Sequence, residues 1–250
     1  MQSYKLKPEA DPIGSEDCAW PCLQQGSAVR TYQVKEIFGP TLQGEGLHAG
    51  WPCTFLRLSG CNAWDGRPET RSQSSCPYCD TDFRGGDRIT LAEILTRLTA
   101  LIDPTKSNQS HQIGCVLTGG EPLLQADAEL VKALAATFAW VDIETNGTRS
   151  APYHGDNVFY SCSPKKIAQQ PVVIQPDWWK ILLPDQRGFL NDALLSGKPV
   201  YVQPTCPDEG PMADGPAAEH YERALKECQD ACYAFGCRLS LQTHKYLGIE

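Results

Sequence analysis

Three cysteines, Cys61, Cys76 and Cys79, stand in one stretch, CNAWDGRPETRSQSSCPYCDTD, with the spacing Cys-x14-Cys-x2-Cys. Thiolates in such a group take zinc or the irons of an iron–sulfur cluster. A structural zinc needs four ligands, and a cube of four irons normally takes four cysteines. The stretch supplies three and contains no histidine. Either a distant fourth ligand completes the site, or one metal position is open to a substrate or cofactor. The spacing alone weighs zinc and iron–sulfur equally.

The elements around this loop repeat one pattern, a strand ending in polar groups. TYQVKEIF (31–38) reads as a strand leading into GPTLQGEG (39–46). The glycines of that segment permit close backbone approach, and Gln43 and Glu45 offer polar groups, although the residues alone favour a surface turn. CTFLRLSG (53–60) is a strand with one charge, Arg57, and it runs directly into Cys61. IGCVLTGGEP (113–122) ends in Gly119, Gly120 and Glu121, and WVDIETNGT (140–148) ends in Glu144, Thr145, Asn146 and Gly147. VFYSCSPKK (158–166) ends in Ser161, Ser163 and Lys165. Trp178 to Leu183 is a short strand, and PVYVQPTC (199–206) ends in Gln203, Pro204, Thr205 and Cys206.

Helical periodicity appears at 90–102, where Thr90 and Glu93 form a capping box, and at 126–138. It returns at 217–235, with Tyr221, Leu225, Cys228, Cys232 and Phe235 facing inward. Segments 107–112 and 207–216 read as loops, and 237–242 as a last strand before a tail. Strands alternating with helices, with polar groups at the strand ends, predict an α/β fold with its site on the C-terminal rim of a βα barrel. Seven or eight strands and only four long helices are too few for a closed eight-fold barrel, so a partial barrel is expected.

The composition bounds the function. The 250 residues suit one domain of α/β size, spanning 31–250 behind a polar extension at 1–30. The net charge is −8 with no basic run, which argues against nucleic-acid binding. No apolar run spans a membrane, and the first residues lack the apolar segment of a secretory signal. A reducing, cytoplasmic compartment is expected. There the 12 cysteines serve as metal ligands or buried apolar residues rather than disulfides; Cys18 and Cys22 read as spare thiols of the extension.

In combination, EIFGPTLQGEG (36–46), FLRLSGCN (55–62), CPYCDTDF (76–83), TGGEP (118–122), ETNGT (144–148), SPK (163–165), QP (203–204) and QTHKYLGIE (242–250) resemble the radical S-adenosylmethionine (SAM) enzymes. Within them the chain resembles the 7-carboxy-7-deazaguanine synthase family over residues 31–250. The common superfamily spacing is Cys-x3-Cys-x2-Cys, and the longer first gap here matches an insertion carried by some members of that family. The resemblance implies a partial TIM-like barrel of the radical SAM type. It also implies a [4Fe–4S] cluster on Cys61, Cys76 and Cys79, with the fourth iron open to SAM. The implied reaction is a lyase-type ring contraction of 6-carboxy-5,6,7,8-tetrahydropterin, begun by a radical from SAM and ending with loss of ammonia, in queuosine or 7-deazapurine biosynthesis.

The resemblance implies residue roles as well. Thr81 would bind Mg²⁺. Tyr78, Cys79, Asp80, Gly120, Glu121, Ser163, Pro164, Lys165, Gln203, Pro204, Thr205 and Cys206 would hold SAM. Leu42, Gln43, Gly44, Glu45, Arg57, Thr118 and the terminal carboxylate of Glu250 would hold the pterin, with His244 weighed evenly between the site and the surface. A flavodoxin-like electron donor and a homodimer are implied too. Two rivals remain: a glycyl-radical activase, against which LQGEG and the long loop argue, and a zinc-stabilised binding module using Cys61, Cys76 and Cys79 with His48 or Cys53.

Overall fold

Along each parallel strand, alternate residues go to opposite faces, and the two faces differ in chemistry. The computed structural model describes residues 29–102, 112–206, 210–211 and 214–249. The expectations for Cys18, Cys22 and Glu250 lie outside those residues, as do 107–111 and parts of the 207–216 loop. The strands are β1 (Thr31–Leu42), β2 (Pro52–Leu58), β3 (Asp87–Thr90), β4 (Gly114–Gly119), β5 (Val141–Thr145), β6 (Val158–Cys162), β7 (Trp178–Leu183), β8 (Val200–Pro204) and β9 (Arg238–Leu239). They form one open sheet in the order β3-β1-β2-β4-β5-β6-β7-β8-β9. β1 pairs antiparallel with β2 and β3, and every pairing from β2 to β9 is parallel.

The helices are α1 (Leu91–Ala100), α2 (Ala128–Thr137), α3 (Leu190–Leu195), α4 (Pro216–Phe235) and α5 (Thr243–Leu247). Leu56, Leu117, Ile143, Tyr160, Ile181 and Val202 point to the outer face and form one core with Ile94, Leu98, Leu130, Leu134 and Cys228 of the helices. Burial of such side chains stabilises the fold by about 1.5–3 kcal/mol each. The Thr90 hydroxyl accepts from Glu93 N at 3.2 Å and starts α1, as the sequence predicts. The reciprocal half of the capping box does not form, because the Glu93 carboxylate turns to Arg97 at 2.5 Å. Asp127 caps α2 by accepting from Leu130 N at 2.9 Å.

The structure corrects several expectations. β1 runs on through Gly39 and Pro40 to Leu42, with a register shift between Phe38 and Thr41, so GPTL belongs to a strand rather than to a turn. β3 carries no apolar alternation and was not expected. The last strand is two residues long, and the expected tail contains α5. Phe235 does not face inward: it is 57% exposed at the end of α4, where two-residue β9 offers little sheet to cover it.

The sheet has free edges, yet its two ends meet. Gly46 N donates to Ser240 Oγ at 3.0 Å, and Thr243 N donates to Gly44 O at 3.1 Å. The loop after β1 therefore docks on the segment after β9, and the inner face becomes concave. Among the described residues no helix is long and apolar enough to cross a membrane.

Candidate active site

The concave face holds a cavity of about 570 Å³ at the C-terminal ends of the parallel strands. The Cys61 turn leaves the end of β2 and packs tightly on the Gly119–Gly120 turn at the end of β4. A Cβ on Gly120 would lie 2.3 Å from Gly60 O and 2.6 Å from Cys61 Cβ, so only glycine allows this contact. Glu121 N also donates to Gly60 O at 2.9 Å. The insertion 62–75 folds back as a short turn over Pro68–Gln73. Arg71 Nη2 donates to Cys79 O at 2.5 Å and Ser75 N to Ala63 O at 3.2 Å, which ties the insertion down beside the cysteines. Its Trp64 joins the cavity wall.

Cys61, Cys76 and Cys79 all line this one cavity. Cys76 is buried, and the other two are half-buried. The hydrogen bond with Cys76 brings the Cys79 thiol down to about 7, while Cys76 itself is pushed up. Burial likewise raises Cys61. Among the described residues no three His, Cys, Asp or Glu side chains converge as a single metal ion requires. The zinc-module ligands are elsewhere: Cys53 is fully buried beside Val116 and Trp140, and His48 is paired to Asp142 at 3.2 Å. Neither lines the cavity. Three thiols spread around one cavity fit a multi-iron cluster, which distributes its ligands over separate irons.

The other predicted residues divide into two groups. Leu42, Gln43, Gly44, Glu45, Arg57, Tyr78, Asp80, Thr81, Thr118, Gly120, Ser163, Lys165 and Gln203 line the cavity. Glu121, Pro164, Pro204, Thr205 and Cys206 do not. The Glu121 carboxylate is fully buried and accepts from Leu123 N at 3.0 Å, Thr145 Oγ1 at 2.8 Å and Asn146 N at 2.6 Å. It joins the TGGEP and ETNGT turns from behind; burial raises its carboxyl. Thr205 is likewise committed, to Leu183 O and Asp185. Arg57 faces the cavity but already donates through Nε to Glu36 at 2.5 Å, its cross-strand neighbour. One such bond leaves the rest of the guanidinium fork for a ligand.

Residues without a predicted role complete the wall. Lys180 on β7 is buried between Glu45, at 2.5 Å, and Glu144, at 3.8 Å. Glu144 also accepts from Thr118 Oγ1 at 2.9 Å and from Gln43 Nε2 at 3.4 Å. Burial opposes the charge on Lys180, but Glu144 and Glu45 outweigh it and hold the ammonium above its ordinary value. Burial alone would raise Glu45; Lys180 and Gln242 outweigh it and keep the carboxyl below its ordinary value. The signal for Lys180 was present in WWKILL, a lysine on the same strand face as Trp178 and Leu182. His244 lines the cavity against Gly44, where a Cβ would lie 2.1 Å from its Nδ1. Lys245 reaches across the mouth to Asp80 at 2.7 Å.

No protein-family model matches the chain. Whole-length relatives do. The 7-carboxy-7-deazaguanine synthase of Burkholderia multivorans is 39% identical over 226 residues, which cover 88% of this chain and 99% of that protein. Those of Bradyrhizobium diazoefficiens and Caulobacter vibrioides are each 38% identical, covering 88% of this chain and at least 99% of their own. The crystal structure of QueE from Escherichia coli matches with a TM-score of 0.56 at 22% identity, covering 84% of this chain and 93% of that one, a likeness of fold. With relatives this similar over almost their whole length, the chain belongs to the 7-carboxy-7-deazaguanine synthase family.

Proposed function

We propose that this enzyme converts 6-carboxy-5,6,7,8-tetrahydropterin to 7-carboxy-7-deazaguanine with loss of ammonia. One observation carries the reading: the three thiols of 61, 76 and 79 share a cavity with the LQGEG strand end and the Thr118–Gly120 turn. Cys61, Cys76 and Cys79 would hold three irons of a [4Fe–4S] cluster, leaving the fourth for the amino and carboxylate groups of SAM. When bound, the cluster and SAM supply one-electron, hydrogen-abstracting chemistry.

The chain's own residues bind, orient and exclude water. The side-chain-free turn at Gly119 and Gly120 opens backbone groups to SAM, flanked by Tyr78, Asp80, Ser163, Lys165 and Gln203. Pro164, Pro204, Thr205, Cys206 and Glu121 act behind that wall. Arg57 offers its remaining donors to the substrate carboxylate. Lys180 holds Glu45 as its carboxylate and pairs with Glu144, so both side chains offer oxygens to the N–H groups of a pterin ring, with Gln43 and Thr118 holding Glu144 in place. The hydroxyl of Thr81 would hold Mg²⁺, a hard cation that takes oxygen ligands. A flavodoxin-type protein is the proposed electron donor, and a cytoplasmic homodimer the proposed working form.

Anaerobic turnover of reconstituted enzyme with SAM, dithionite and the carboxytetrahydropterin, read by mass spectrometry, tests the reading. The expected product is the deazaguanine carboxylate. SAM cleavage with the pterin untouched would overturn the substrate, and colourless protein holding only zinc would overturn the whole reading. The same assay with Mg²⁺ omitted, with flavodoxin replacing dithionite, and after sizing by gel filtration checks the metal, the donor and the dimer.

A further inference from the structure

We propose that Gln186, a residue outside the cavity, is a positioning residue that sets the geometry of the SAM-facing wall. The inference rests on the SAM reading above. Gln186 follows β7 and is 1% exposed. Its main chain and side chain both grip the strand end: Gln186 N donates to Leu182 O at 2.7 Å, and Leu182 N donates to Gln186 Oε1 at 2.9 Å. A main-chain N–H only donates, so that bond fixes which end of the amide is oxygen. The amide nitrogen therefore faces the other way. There Nε2 donates to Tyr78 Oη at 3.1 Å and to Ser163 Oγ at 3.1 Å.

These two acceptors come from separate segments of the chain. Tyr78 lies between Cys76 and Cys79, and Ser163 follows β6. Lys165 Nζ donates to Ser163 Oγ and to Ser163 O, each at 2.9 Å, and lies 5.8 Å from the Tyr78 ring centroid. A single buried amide thus locks the cysteine loop to the strand-end wall and directs three cavity-facing groups, Tyr78, Ser163 and Lys165. Both amide hydrogens are used, and the Ser163 hydroxyl also lies 3.4 Å from Gln186 Oε1, so that both ends of the amide meet it. No ligand atom needs to touch Gln186 for its loss to be felt in SAM binding.

The test is equilibrium binding of SAM and of the pterin to anaerobically reconstituted enzyme, with iron content measured beside it. Gln186→Leu is expected to weaken SAM about tenfold, the effect of losing one to two hydrogen bonds. Iron content and pterin affinity should stay as in the wild type. Tyr78→Phe in the Gln186→Leu background should add little, because the hydroxyl has already lost its guide. If Gln186→Leu does not fold or load iron, Tyr78→Phe with Ser163→Ala removes both acceptors while Gln186 remains, and should weaken SAM similarly. SAM affinity within twofold of wild type in the variant that loads iron overturns the proposal, as does an equal loss for SAM and pterin. Wild-type enzyme that binds no SAM at all overturns the functional reading instead.

Discussion

Asp142 and Glu144 stand two residues apart on the same face of β5, and their surroundings are opposite in kind. Glu144 looks toward the mouth of the barrel, where Lys180, Thr118 and Gln43 meet it and the cavity remains open. Asp142 looks toward the floor and is fully buried. One of its oxygens meets His48 Nδ1 at 3.2 Å, and Oδ1 has no partner among the described residues. Trp140 stacks on His48 at 4.2 Å and Phe159 meets its ring at 4.9 Å, which seals the pair. At the mouth, charge is balanced by charge and left facing a ligand. At the floor, charge is opposed by burial and closed off by aromatic rings. The two layers consequently respond to pH with opposite sign. The depressed Glu45 carboxyl contributes stability that is present at neutral pH and lost as pH falls through its folded value. The raised Asp142 carboxyl costs stability as pH rises above the usual carboxylate range.

The largest break in this comparison is Lys180→Met. It leaves the buried Glu45 and the half-buried Glu144 without their shared cation, a loss of about 3–5 kcal/mol. Turnover should fall by about a hundredfold or more, since the cation that orients both acceptors is gone. The stability deficit should shrink as pH falls, because protonating the Glu45 carboxyl relieves the repulsion. Adding Glu45→Gln should restore much of the melting temperature without restoring turnover. Full turnover in Lys180→Met would remove the mouth cluster from the site.

A smaller effect tests the seam where the loop after β1 meets the C-terminal segment. In Gly44→Ala the new methyl falls 2.1 Å from His244 Nδ1, so the ring must move away from the cavity. Overpacking of this kind costs about 1–3 kcal/mol, and KM for the pterin should rise about tenfold with SAM affinity unchanged. Unchanged KM would mean that His244 and Gly44 lie outside substrate contact.

The sequence disclosed the fold where periodicity was strong. β4 and β8 carry apolar runs, β5 and β7 carry apolar residues broken by charges, and α1 and α2 carry caps, so they were legible. β3, with one buried residue in Asp87–Thr90, and α5, a short half-buried turn after Gln242, carry too little pattern to be seen. Within the site, Cys61, Cys76, Cys79 and the glycines announced themselves by type and spacing. Glu121 is expected from its motif to hold SAM, and in the fold its carboxylate joins two turns behind the cavity. WWKILL and the end of WVDIETNGT mark Lys180 and Glu144 as polar groups on apolar strands, but their pairing with Glu45 needed the register, because only the curl of the sheet brings β7 against the residues after β1. Gln186 was invisible for the same reason, since its partners are 108 and 23 residues away.

The smallest expected effect is at the floor. Asp142→Asn keeps an oxygen for His48 and removes only the ionisable proton. Because burial raises the native Asp142 carboxyl, the folded wild type binds a proton that the unfolded chain releases, and stability declines as pH rises through that interval. The amide does not titrate, so its melting temperature should follow a flatter course with pH. The two proteins should lie within about 1 kcal/mol at the acid end, and the variant should gain relative to wild type toward neutrality. Turnover should be little changed, because neither Asp142 nor His48 lines the cavity. Thermal unfolding across that pH range, with turnover measured in parallel, separates the outcomes. A variant that loses turnover while keeping its stability would show that the floor pair reaches the substrate through Glu144, and that the two layers act as one cluster.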